Sequence, residues 1–189
     1  MRQAIKNVIL TTCAAALCLT SPSALSFAQS DSQKTVAAFE DRVKEYVKFR
    51  EKLEEGMPKL SKEAKPEEIE AHKKAFQEKV RAGRANAKPG DIFTPDIVAH
   101  IRATIKREFK GKDLKELRET VLEGETKGVP VRVNHPYPES KEVIEMPPTL
   151  LLALPQLPKQ VRYRYVGTRI LLVDRENGLI LDYMPDALP

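Results

Sequence analysis

Chemistry in this chain would have to come from its three histidines, from its carboxylates, or from one short cluster of polar and aromatic residues near position 132. His72, His100 and His135 fall in different segments, and none has a second histidine or cysteine at a metal-ligand spacing. Glu68 and His72, like Asp96 and His100, are separated by four residues, which places each pair on one helix face. Pairs of that kind are ordinarily solvated surface contacts. After residue 28 there is no Gly-x-Ser-x-Gly elbow, no thiol and no Gly-rich phosphate loop. Carboxylates abound, but no paired motif singles out two of them as acid and base. These features argue against an enzyme and nominate no catalytic, metal-ligating or cofactor-binding residue.

The remaining cluster is Arg132, Asn134, His135 and Tyr137, which offers donors, an acceptor and an aromatic surface within a short span. It sits where a strand is expected to leave the sheet, and loops on a rigid scaffold commonly carry binding groups. The competing reading is local: Asn134 turns the chain and Tyr137 packs over the sheet edge. Loop side chains more often satisfy nearby backbone than bind ligands, which favours the local reading. The four residues are nonetheless the binding surface the sequence offers.

Lys106, Arg107, Lys110, Lys112, Lys115 and Arg118 form a basic run, but Glu108, Asp113, Glu116 and Glu119 interleave with it as on a solvated helix face. The chain has no tryptophan and a net charge of only +5, so stacking platforms and a strong positive field are both missing. Nucleic acid is not an expected partner.

The elements that must position these residues begin after an export segment. Arg2 and Lys6, an apolar stretch over residues 8–19, and Ser26-Phe27-Ala28 supply the charged, apolar and cleavage regions of a secretory signal peptide. The apolar stretch is shorter than the ~20 residues of a spanning helix, so the mature chain is expected to carry no transmembrane segment. Cleavage near Ala28 leaves residues 29–189 as a single domain, periplasmic or secreted. Cys13 and Cys18 depart with the leader, so the core alone must hold the domain together. A domain of ~150 residues buries roughly two-thirds of its unfolded surface, enough for that.

Within the domain, Val36, Phe39, Val43, Tyr46, Val47 and Leu53 recur at helical steps and predict an amphipathic helix over residues 34–55. A second helix is expected from Pro66, with Glu67 and Glu68 at its positive end and Ile69, Phe76 and Val80 on its buried stripe. The two should pack as an antiparallel hairpin. Thr94 and Pro95 open a third helix whose Ile97, Ile101, Ile105 and Phe109 share one face, and Gly111 ends it. Leu114, Leu117, Val121 and Leu122 suggest a short fourth, the helical part spanning about 34–122.

Beyond Gly128 the period changes. Val129, Val131 and Val133 alternate as an edge strand, and a proline-rich connection continues to about residue 160 with one apolar helical turn at 149–154. Residues 161–184 read as an antiparallel meander turning at Gly167-Thr168 and Asn177-Gly178. A bulged turn at Gly178 would oppose Leu171 to Tyr183 and Val173 to Leu181, giving one apolar face for the helices. Asp174 and Asp182 would then lie on the other face, within reach of Arg162 or Arg164. The expected fold is α+β: a helical hairpin and a third and fourth helix on a small C-terminal antiparallel meander.

The stretch Val161-Arg162-Tyr163-Arg164-Tyr165-Val166, with Ile170-Leu171-Leu172-Val173-Asp174 and Gly178-Leu179-Ile180, resembles the C-terminal hairpin of periplasmic nickel/cobalt-homeostasis accessory proteins. The helical part does not fit that family. Gly-Asp-Ile-Phe-Thr-Pro, Val-Arg-Val-Asn, Met-Pro-Pro and the terminal Asp-Ala-Leu-Pro are similar to stretches in uncharacterised exported bacterial proteins, a resemblance that implies export and no activity. The expected function is a non-enzymatic periplasmic module that binds an envelope protein or cell-envelope component through the proline-rich segment and sheet edge. A small-ligand or metal-binding accessory role is the alternative, suggested by the tail resemblance and His135.

Overall fold

The structure, a computed structural model, describes residues 23–123, 130–137, 146 and 148–188; residues 1–22 of the expected leader lie outside these. Five helices precede a three-stranded antiparallel sheet: α1 (Ser23–Glu55), α2 (Pro66–Gly83), α3 (Pro95–Glu108), α4 (Lys112–Glu123), α5 (Pro148–Ala153), β1 (Val161–Val166), β2 (Arg169–Asp174) and β3 (Ile180–Met184), in the sheet order β1-β2-β3. The α+β expectation is met. Among the described residues no helix is long and apolar enough to cross a membrane.

α1 starts eleven residues before the predicted position, running unbroken through the expected cleavage site at Ala28. Gly56 and Pro58 follow its end, and α2 opens at Pro66 with the Glu68 carboxylate accepting from the Lys65 amide at 2.8 Å. The two helices are antiparallel, because contacts pair Tyr46 with Arg84, Arg50 with Phe76, Gly56 with Lys79 and Pro58 with His72. Gly83 lets them approach closely, since a Cβ there would stand 2.5 Å from Phe49 Cζ. Phe76 and Val80 are buried as expected, but Ile69 is 46% exposed: it lies in the first turn of α2, beyond the reach of the core. Thr94 flanks α3 without making the side-chain cap bond its type suggests, and Ile97, Ile101 and Ile105 are fully buried.

The sheet departs from expectation in which face the helices cover. Phe39, Tyr46, Phe76, Ile101 and Leu150 from the helices pack with Val161, Tyr163, Tyr165, Ile170 and Leu172. That is the face bearing Asp174 and Asp182, since Leu172 pairs with Asp182 and Val161 with Asp174. Leu171, Val173, Val166 and Ile180 form the opposite face, packed by Tyr137 with Val131 and Tyr183. Both faces are apolar because Ile170, Leu171, Leu172 and Val173 are consecutive, the pattern of a strand buried on two sides. Leu171 does oppose Tyr183, but Val173 opposes Ile180: the bulge makes Leu181 the extra residue.

The strand expected over 129–133 is not formed among its described residues, 130–133. His135 N bonds Arg132 O in a turn, and Asn134 adopts φ 62°. Pairing starts at Asn134, whose N donates to Ile180 O at 2.8 Å, and residues 134–137 run beside Gly178–Ile180. Tyr137 N donates to Gly178 O at 2.7 Å and Ile180 N to His135 O at 2.9 Å, flanking a Pro136–Leu179 bridge. Pro136 therefore occupies a non-hydrogen-bonded position, where its missing N–H costs nothing.

Candidate functional site

The polar groups that the fold gathers are of two kinds: a buried set that ties helices to sheet, and an open set along β1. Arg50 falls on the apolar stripe of α1, one turn beyond Tyr46, and both reach the end of β2. The Tyr46 hydroxyl donates to Asp174 Oδ2 at 2.6 Å, and Arg50 Nε stands 3.1 Å from the same oxygen. Asp174 Oδ1 accepts from the amides of Glu176 and Asn177 at 2.9 and 3.1 Å. Arg50 also pairs with Glu176 and with Glu54. Burial, reinforced by the Asp174 charge, pushes the Tyr46 phenol far above its ordinary range. Burial pulls on the Arg50 guanidinium in the other direction, but Asp174, Glu176 and Glu54 together carry its pKa above the usual value.

Asp182 is the second anchor. Its four bonds all come from backbone amides: Gly90 and Tyr183 to Oδ1 at 3.0 and 2.8 Å, Ile92 and Phe93 to Oδ2 at 2.8 and 2.7 Å. It thereby fixes the turn that launches α3. Neither aspartate meets Arg162 or Arg164, as the sequence suggested. The carboxylates lie on the helix-covered face of the sheet and those arginines on the other. With every oxygen bonded and both residues wholly buried, neither carboxylate is placed to move a proton to or from a substrate.

Arg84 at the C-terminal end of α2 joins the helical layer to the bulge. Its guanidinium lies over the Tyr46 ring, Nη2 donates to the unpaired Leu181 carbonyl at 2.9 Å, and Nη1 donates to Asn134 Oδ1 at 3.0 Å. Burial holds its pKa below the ordinary arginine value, against the attraction of Tyr46, Asp182 and Asp91.

Asn134 is thus one of the four sequence-nominated residues but is fully engaged: Nδ2 returns a bond to Arg84 O at 2.7 Å, and Arg81 Nε donates to its carbonyl at 2.9 Å. Tyr137 is buried against the outer face of the sheet, where burial raises its pKa and Arg164 and Arg162 oppose the rise. His135 and Arg132 are exposed, with His135 Nδ1 3.2 Å from Val133 O. Of the four, Asn134 and Tyr137 are taken up by the fold, whereas Arg132 and His135 are exposed. The other histidines are also apart, His72 Nε2 at 3.0 Å from Pro58 O and His100 Nδ1 at 3.1 Å from Ser32 Oγ. Among the described residues no group of three or more histidine, cysteine, aspartate and glutamate side chains is placed to hold a metal.

The open set lies along β1. A cleft of about 450 Å³ runs between the segment carrying α5 and strand β1, lined by Leu151, Leu152, Pro155, Leu157, Val161, Tyr163, Arg162, Arg164 and Arg175, with Met146 and Gln156. Three of these described lining residues are arginine and none is acidic. Leu151 and Leu152 are 50% and 88% exposed, the most exposed of the described large apolar side chains. A second cleft, near His72, is lined by Glu51, Glu54, Glu55 and Glu176, but Arg50 already engages two of those carboxylates.

Sequence reasoning singled out Asp174 and Asp182 but gave them Arg162 or Arg164 as partners, and it passed over Arg50, Arg84 and this cleft. A charged residue on an otherwise apolar stripe, Arg50, and an aspartate closing an apolar strand before a turn, Asp174, are the traces the anchors leave. The cleft leaves none, because its walls meet only after folding. Comparison with protein-family models, with curated proteins and with solved structures finds no match for this chain.

Proposed function

We propose that this chain is an exported, non-enzymatic binding module that engages another protein of the bacterial envelope through the cleft between α5 and β1. The observation that carries the reading is a contrast. The buried carboxylates are consumed in holding the fold, whereas Leu151 and Leu152 stand exposed beside three arginines with no acidic residue among the described cleft lining. Apolar surface ringed by polar groups is the ordinary composition of a protein-binding patch. Export is supported by the charge, apolar stretch and small residues of the N-terminal 28 positions.

The test is affinity capture from envelope extract with the protein purified from its native cells, whose N-terminal sequencing is expected to begin at Gln29. A Leu152→Asp/Arg162→Glu double variant should lose partners that the Arg132→Ala/His135→Ala variant keeps. An unchanged partner set in the first would remove the cleft as the binding face. Calorimetric heat with nickel, cobalt, copper or zinc beyond dilution would instead favour the metal-accessory reading.

A further inference from the structure

The cleft has an unusual lining: Val161 and Tyr163 come from the helix-facing side of β1, and Arg162 from the opposite side. Successive residues of a strand point to opposite faces, so one cavity reaches both sets only by lying along the strand's edge. Among the described residues that edge is unpaired. Residues 134–137 lie beside Gly178–Ile180 at the start of β3, but β1 has only β2. Arg175 N donates to Gln160 O at 2.8 Å, which fixes the phase of the ladder: Arg162, Arg164 and Val166 bond toward β2, and Val161, Tyr163 and Tyr165 turn their N–H and C=O outward. Val161 N is taken by Pro158 O, whereas no bond to the amides of Tyr163 or Tyr165 is formed among the described residues. The outward carbonyls of Val161 and Tyr163 receive only long bonds, both 3.3 Å, from Arg175 Nε and Arg164 Nη1.

From this geometry, resting on the binding role just proposed, we infer that the cleft takes an extended, acidic segment of a partner protein as a fourth strand on β1, its carboxylates on Arg162 and Arg175. Strand addition supplies main-chain bonds for affinity and side-chain contacts for selectivity. Charge selects the occupant. A second copy of this chain pairing β1 to β1 would set arginines against arginines across the new ladder, and like charges directly opposed are destabilising. A segment with a carboxylate at every second position places them all on the arginine side. Arg162 Nε is buried with no hydrogen-bond partner, so a donor is already waiting there. An incoming carboxylate also gives Arg175 a charged acceptor in place of its long bond to the Val161 carbonyl, freeing that carbonyl for the added strand.

The probes are end-blocked heptapeptides alternating valine and glutamate, the same with lysine for glutamate, and two acidic versions N-methylated at every valine or at every glutamate. Binding is measured to the whole purified protein. The acidic peptide should bind at least tenfold tighter than the lysine peptide, and Arg162→Glu should reverse that order. One N-methylated series should lose binding while the other keeps it, because only alternate amides face β1: loss on valine methylation marks antiparallel addition, loss on glutamate methylation parallel. Because the methylation arm uses the unaltered protein, it decides the matter even if Arg162→Glu does not fold. Equal binding of both methylated series, or no binding of the acidic peptide, overturns strand addition. If capture is still lost in Leu152→Asp/Arg162→Glu, the binding role stands without it; if capture is also unchanged, both fall.

Discussion

Replacing Asp182 by asparagine tests the buried anchoring with almost no change of shape. Four backbone amides converge on this carboxylate, two on each oxygen, and the residue is wholly buried. An asparagine oxygen kept on the Oδ2 side still serves Ile92 and Phe93. Its NH2 then faces the Gly90 and Tyr183 amides, donor against donor. A buried donor left without a partner costs about 1–3 kcal/mol, and bonds to a charged acceptor are worth more than neutral ones. Two orphaned amides, each only part-buried, and the loss of charge on the other two bonds set the destabilisation at about 3 kcal/mol. With an m-value of about 2 kcal/mol per molar urea, the unfolding midpoint should fall by about 1.5 M at unchanged m. Amide exchange at Ile92 and Phe93 should quicken as well. A loss below about 1 kcal/mol, less than one orphaned donor costs, would refute the reasoning that Asp182 holds the turn before α3.

Two further outcomes follow from the packing and the charges. Gly83→Ala should destabilise despite alanine's better helix propensity, because its Cβ would stand 2.5 Å from Phe49 Cζ; in a Phe49→Ala background the same substitution should become neutral or stabilising. His100 has its pKa lowered by burial and then by Arg107, so the unfolded chain takes up a proton that the native state resists. Stability should therefore hold at neutral pH and decline as pH falls below about 6.5, and His100→Gln should flatten that part of the urea-midpoint profile. An identical acid slope in the variant would contradict the assignment.

How far the fold was legible depended on whether one interaction or several decided each segment. α3 was readable because Ile97, Ile101 and Ile105 repeat on a single face, after Pro95 at its first position. The meander was readable for a similar reason, with glycines at both turns and left-handed φ values at Gly167 and Gly178. Which side of the sheet the helices cover was not. Ile170 to Val173 is apolar at every position, so alternation carried no information, and the outcome rests on Asp174 and Asp182 finding partners in α1 and in the turn before α3. Val131 and Val133 have strand-like spacing, but among the described residues pairing begins only at the Asn134 turn, where Asn134 N donates to Ile180 O. Asn134 and Tyr137 drew notice for their types, and both serve the fold. Arg162 and Arg175, thirteen residues apart on either side of a hairpin turn, acquire a shared role only through the register that sets Arg162 beside Val173 and Val161 beside Asp174.

The central claim is that the face along β1 is where this protein meets its partner, and site-specific photo-cross-linking in the native cell reads it most directly. A benzophenone side chain at position 152, where leucine is 88% exposed, should yield a discrete adduct with an envelope protein, lost when Arg162→Glu is added. The same probe at the exposed position 135 should yield none. Adducts of equal strength at both positions, or an adduct at 135 alone, would contradict the account.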